Sequence, residues 1–189
     1  MARPRSEDKR NAILDAAAEA VARMGVGAPT AKIAKLAGVA EGTLFTYFSS
    51  KDALLNQLYL ELKTDLGRAM TSGYPSGKSL VERARHVWNG FVGWGSAHPL
   101  KRKAMTQLAV SERITEKTRK SAGEAFAQIN GMIRESLAGG ALKDQPLAFA
   151  GTIMSAIADV TMEFIAREPG RAKRYTKAGF EAFWKAVTG

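Results

Sequence analysis

Residues 30–55 read TAKIAKLAGVAEGTLFTYFSSKDALL, from Thr30 to Leu55. Gly38 interrupts two short runs of helix-like apolar spacing. In the first run Ile33, Leu36 and Ala37 fall on one face, and Thr30 stands where a cap would. The second run, from about Ala40 to Phe48, places Phe45, Tyr47 and Phe48 within four positions. Ser49 or Ser50 then caps a longer helix, with Asp52 in its first turn. Two short helices joined by a tight glycine turn and packed on a preceding helix form a helix-turn-helix. Its second helix has one face held by the domain and one free to enter a major groove.

The sequence separates those two faces. Val39, Leu44 and Phe48 point inward at helical spacing, which leaves Glu41, Gly42, Thr43, Phe45, Thr46 and Tyr47 outward. Gly42 lets backbone approach DNA closely. Thr43 and Thr46 can donate to phosphate or touch a thymine methyl. Tyr47 offers a phenolic donor to phosphate. Phe45 offers an apolar edge, with partial burial equally open for it. Glu41 can accept from a cytosine amino group or simply face solvent. Lys51 opens the next helix, where backbone N–H groups and an ammonium both favour phosphate. Thr30 does the same for the helix before, and Lys32 joins this candidate DNA-binding set. Arg3 and Arg5 form a basic arm able to follow the backbone or enter the minor groove. The alternative is a helical hairpin whose aromatics are all core.

Bulk properties agree with a nucleic-acid partner but do not locate it. The chain has 189 residues, 46% hydrophobic, a formal net charge of +10 and a pI near 10.0. Such a charge favours nucleic acid or an anionic membrane surface. Residues 1–51 hold eight Lys/Arg against five Asp/Glu, so most of the excess lies further along. The absence of cysteine excludes disulfides, thiolate metal sites and a Cys nucleophile. The two histidines, His86 and His98, lack metal-type spacing. No serine nucleophile elbow occurs, and GVGAPT lacks the Gly-Lys of a phosphate loop. No enzyme activity, cofactor or metal is therefore expected. No apolar run reads as long enough to span a membrane, and MARPRSEDKRN lacks the apolar stretch of a signal peptide. A cytoplasmic protein with no membrane partner is expected.

Outward from the opening stretch the apolar spacing stays helical, with no convincing strand, so the fold is expected to be all-α. The first helix runs from Ser6, its cap, to Met24, with Ile13, Ala17, Ala20, Val21 and Met24 inward. The fourth runs to about Met70 and carries Leu54, Leu55, Leu58, Leu62 and Leu66. TSGYPSGKS reads as a linker. Five further helices are expected over Leu80–Ser96, Leu100–Val110, Ile114–Leu137, Pro146–Ala166 and Pro169–Val187. That makes about nine helices: a DNA-binding head over residues 1–52, and a larger helical body over 53–189 entered through the fourth helix.

The Thr-initiated helix, the AGV turn, GTLFTYF and SSKDALL together resemble the head of the TetR family of repressors, over roughly residues 6–62. Beyond the head, LYLELKTDL, WGSAHP, QLAVSERIT and TMEFIAREP are similar to the RamR-type, efflux-regulating group of that family. AGEAFAQINGMIRESLAGGALKDQP resembles that group least. The resemblance implies a homodimer formed through the last two helices. It implies binding to a palindromic double-stranded DNA operator and release by a bulky aromatic or cationic small-molecule inducer. An efflux or detoxification gene is the implied target; an activator, or a regulator of another metabolic process, is the alternative. In the group a Tyr on the fourth helix and an aromatic on the penultimate helix contact ligand, and Tyr59 and Phe164 match them, with Trp94 close by. Asp159 lies in the apolar run SAIADVTMEF, where a carboxylate must be paired, exposed or facing a wet cavity. It can attract a cationic ligand or pair with an arginine at the dimer contact. Tyr59, Leu66, Trp94, Met105, Asp159 and Phe164 are thus the candidate ligand-binding set.

Overall fold

The computed structural model of the chain describes residues 6–140 and 142–189. Among them are ten α-helices, one short 3-10 turn and no strand. They are α1 (Glu7–Met24), α2 (Thr30–Leu36), α3 (Glu41–Tyr47), α4 (Lys51–Thr71), α5 (Leu80–Ala97), α6 (Pro99–Ala109), α7 (Glu116–Glu124), α8 (Ala127–Leu137), α9 (Leu147–Arg167) and α10 (Ala172–Thr188). The all-α expectation holds. The 3-10 turn, Pro169–Arg171, takes the place of the first turn expected for the last helix.

The helix expected over Ile114–Leu137 is two, which brings the count above nine. Gly123 weakens the helix just before the break, since glycine loses most backbone entropy in a helix. The turn at Ala125 then sets its backbone against α4, and a Cβ on Gly67 would lie 2.9 Å from the Ala125 carbonyl oxygen.

The chain divides into two compact units. The first comprises residues up to Thr64 together with His98–Gly123. In it α1 is the spine, packed by α2 and α6, and α3 packs on α2. Ile13, Ala17, Ala20 and Val21 are completely buried, as their spacing requires. Lys101 pairs with Asp15 at 2.8 Å, joining α6 to α1, and Arg10 pairs with Glu61 at 3.0 Å, joining α1 to α4. Gly25 (φ 81) ends α1 and Gly38 (φ 66) makes the turn after α2, both in the left-handed region glycine tolerates. Met24 and Leu36, read as inward, are 46% and 48% exposed. Each is the last residue of its helix. There the apolar stripe has run past the surface it packs on.

The second unit comprises Asp65–Ala97 and Glu124–Gly189. Its centre is Trp88 on α5. The indole stacks on Phe183 at 5.8 Å, meets Phe180 edge-on, and donates from Nε1 to the Thr176 carbonyl at 2.9 Å. α5 packs on α8, α9 and α10. α9 is long and apolar enough, by length and composition, to cross a bilayer, contrary to the sequence expectation; its mean hydropathy reaches 1.4 over an 18-residue window. A helix packed within a helical body passes the same test. Only 28% of that window is buried, however, and Phe149, Val160 and Phe164 stand exposed on α9.

Candidate nucleic-acid interface

α3 is seven residues long, and only Leu44 in it is fully buried. Phe48, just past its end, is also core at 6% exposure. These two anchor the inner face. Gly42 and Thr46 are exposed, Thr43 is half-buried, and Phe45 is 44% exposed, so its partial burial is real but minor. The outward face is therefore small and mostly uncharged.

Two bonds fix this helix in place, and a third lies within it. The Ser6 N–H donates to the Tyr47 phenol oxygen at 3.0 Å, tying the start of α1 to the end of α3. Ser6 occupies the cap position of α1, but its side chain makes no capping bond. The Thr30 hydroxyl donates to Glu41 Oε1 at 2.5 Å, tying the start of α2 to the start of α3. Pro29, not Thr30, holds the cap position of α2, and Thr30 is its first residue. Glu41 is thus neither solvated alone nor free for a base. The Thr46 hydroxyl donates back to the Gly42 carbonyl at 3.2 Å. Lys32 is exposed. Arg3 and Arg5 lie outside the described residues.

α4 begins as expected, with Ser50 Oγ accepting from the Ala53 N–H at 3.0 Å. Lys51 is half-buried, and burial lowers its pKa, with the charge of nearby Arg113 acting the same way and Asp52 opposing both. Arg113 Nη1 pairs with Asp52 at 2.7 Å. Beside it the Asn56 amide donates to the Arg113 carbonyl at 2.8 Å and accepts from the Thr115 N–H at 2.9 Å. The loop after α6 is thereby pinned to the first turns of α4. Sequence spacing gives no sign of this brace, because its partners are 57 and 59 residues apart and half of them are backbone. Asn56→Ala removes both bonds and leaves backbone groups to find water. It is expected to lower stability by about 1–2 kcal/mol, read as a fall in the urea midpoint with an unchanged slope.

The candidate ligand residues divide between the units. In the first, Tyr59 and Met105 are buried at 6% and 8% exposure, and the Lys63 ammonium stands 5.8 Å from the Tyr59 ring centre. Burial raises the Tyr59 phenol pKa, with the charge of Arg119 pulling the other way, and burial lowers that of Lys63. Arg119 itself donates to the carbonyls of Ala109 and Ser111 at 2.6 and 2.8 Å. In the second unit Leu66 and Trp94 are buried, whereas Asp159 is exposed. Phe164 is 40% exposed, with its ring centre 5.5 Å from that of Tyr175 and the Arg167 guanidinium 5.5 Å above it. Among the described residues no three His, Asp or Glu side chains gather as a metal ligand set.

The Tyr59 shift has a sign that can be tested. A phenol whose folded pKa lies above its unfolded value contributes stability that is fully present below the unfolded pKa, near 10. That stability is lost as pH rises through the folded pKa. Ultraviolet titration of the native protein is expected to show a delayed phenolate step, which Tyr59→Phe removes.

Residues 13–58, from the core of α1 to the middle of α4, match the family model described as "Bacterial regulatory proteins, tetR family". Those residues are the helix-turn-helix part of the chain, α1 to α4, and they are similar to the DNA-binding part of that family. Over its whole length the chain is similar to a solved tetR family transcription regulator from Shewanella sp. PV-4. That pair is 29% identical with a TM-score of 0.82, covering 98% of this chain and 100% of the other. A TetR family transcription regulator from Marinobacter aquaeolei VT8 has the same fold at 22% identity, with a TM-score of 0.84 and 96% of each chain covered. The HTH-type transcriptional regulator YhgD of Bacillus subtilis (strain 168) is 23% identical over 141 residues, which are 73% of this chain and 74% of that protein.

Proposed function

We propose that the chain is a TetR-family transcriptional regulator, a homodimeric repressor that blocks an operator through α3 and is released by a small aromatic molecule. The observation that carries this reading is the division of α3. Leu44 and Phe48 hold it inward, while Gly42, Phe45 and Thr46 stand exposed at a height fixed by the Tyr47 and Glu41 bonds. Two such helices, one per subunit, suit successive major grooves of a palindromic site. Residues 1–52 are the DNA-binding head in this reading, and 53–189 the ligand-binding and dimerisation body. The exposed Phe149, Val160 and Phe164 of α9 support dimerisation through the last two helices, because a single chain leaves them without cover. The protein acts in the cytoplasm.

The sequence similarity to RamR-type repressors supports an efflux or detoxification gene as the target. Of the two inducer classes that similarity implies, the aromatic one fits Tyr59 better. A cation already stands over its ring, so a second would meet like charge. Ligand bound against Tyr59 would bias α4, which carries Lys51 and the Asn56 brace at its first turns.

Fluorescence anisotropy with labelled DNA from directly upstream of the gene, titrated with salt, tests the reading. Selective binding that weakens steeply with salt is expected, with a loss of about fivefold or more in Thr43→Ala and Tyr47→Ala. A protein that shows no preference over random DNA, there or in a genome-wide binding screen, is not a specific reader. Tyr59→Ala should abolish both inducer binding and release. Release that persists without Tyr59-dependent binding would overturn the proposed route.

A further inference from the structure

The second unit carries a groove of about 410 Å³ between the start of α10 and the middle of α5. That size lies within the range of small-molecule sites. Its floor is apolar, made by the buried Phe180 and the half-buried Ala172. Its charged lining residues, Arg85, Lys173 and Lys177, are all cationic. The Arg85 guanidinium lies over the Phe180 ring, 4.4 Å from its centre, and so covers that face of the floor. Lys173 has no acidic partner among the described residues, and Lys177 approaches Glu181 only at 3.9 Å. Of the remaining polar wall, Asn89 is exposed and Thr176 is satisfied internally. The Thr176 hydroxyl donates to the Ala172 carbonyl at 2.9 Å, and the Thr176 carbonyl accepts from Trp88. What the groove leaves unanswered is positive charge beside an apolar floor.

We propose that this groove binds a small amphipathic carboxylate, its apolar body along Ala172 and the aliphatic stems of Lys173 and Lys177, and its carboxylate between Arg85 and Lys173. A guanidinium and an ammonium both form charge-assisted bonds to carboxylate oxygens. A cationic amphiphile meets like charge there, and a neutral one forfeits those bonds. None of the residues lining the groove belongs to the candidate inducer set, so this is a separate site of the regulator. α10 also takes part in the proposed dimer contact, which makes a second copy of the chain the competing occupant.

The chain contains no cysteine, so Thr176→Cys places a unique thiol in the groove. Alkylation of that thiol by iodoacetamide would be timed with decanoate, below its micellar concentration, and with decyltrimethylammonium. Decanoate is expected to protect the thiol and the cation to leave it reactive. Arg85→Gln and Lys173→Gln, both at exposed positions, should each raise the half-protecting decanoate concentration about tenfold. Calorimetric titration of decanoate into the unmodified chain and the same two Gln variants gives the result without the cysteine. Absence of decanoate binding overturns the proposal. So does equal protection by the cation, or protection indifferent to both Gln variants. Protection that needs no ligand and grows with protein concentration assigns the groove to a second copy and overturns it too.

Discussion

Gly42→Glu is expected to abolish selective operator binding while leaving the folded protein as stable as before, or slightly more so. A Cβ at Gly42 meets no atom of the described residues within 4 Å, and the residue is not among the glycines with positive φ. It is the second residue of α3, where an acidic side chain suits the helix dipole. Loss of a helical glycine should add up to about 1 kcal/mol. Against DNA the same side chain is an obstacle and a like charge. A unit charge 4 Å from a phosphate costs about 1 kcal/mol in bulk water and about 4 near a protein surface. With several phosphates near and the groove blocked, affinity should fall about 100-fold or more. Anisotropy and a thermal melt on the same sample check the two halves together. Unimpaired binding would mean that this face of α3 does not enter a groove, and the proposed reading would fall.

The second large effect belongs to the body. Gly90→Ala is expected to destabilise the second unit by about 3 kcal/mol, whereas Gly93→Ala, one turn on in the same helix, should stabilise it by up to about 1 kcal/mol. A Cβ on Gly90 would lie 2.8 Å from the Met70 Cα and closer still to the Ala69 carbonyl oxygen, whereas one on Gly93 meets nothing within 4 Å. At Gly90 the obstacle is the backbone of α4, which cannot rotate away as a side chain would. Two substitutions of the same kind in one helix should therefore move the urea midpoint in opposite directions. If Gly93→Ala also lowers it, helix propensity in α5 is not what decides; if Gly90→Ala does not lower it, the close approach of α4 and α5 is softer than its geometry implies.

What could be read from the sequence follows the range of each interaction. Ser50 as the cap of α4, Gly38 as the turn, and Leu44 and Phe48 as the inner face of α3 are all set within a few residues, and all were legible. Met24 and Leu36 were misread because periodicity gives the direction of a side chain but not where the neighbouring surface stops. The break between α7 and α8 was missed because it depends on Ala125 meeting Gly67, far away in the chain. Glu41 resisted reading for the same reason, its partner Thr30 lying on the preceding helix. Tyr47 was assigned outward as a donor to phosphate. Its oxygen instead accepts from Ser6, which leaves the phenolic hydrogen still to donate.

The Asn56 brace has a consequence for sequence drift. Its two long-range partners are the carbonyl of Arg113 and the N–H of Thr115. Every amino acid at 113 supplies that carbonyl, and every one but proline at 115 supplies that N–H. Mutations in the loop would leave these two bonds standing, while a single change at 56 would cut both. Statistics of co-varying residue pairs would therefore pass over the link, because only one of its ends is written in side chains.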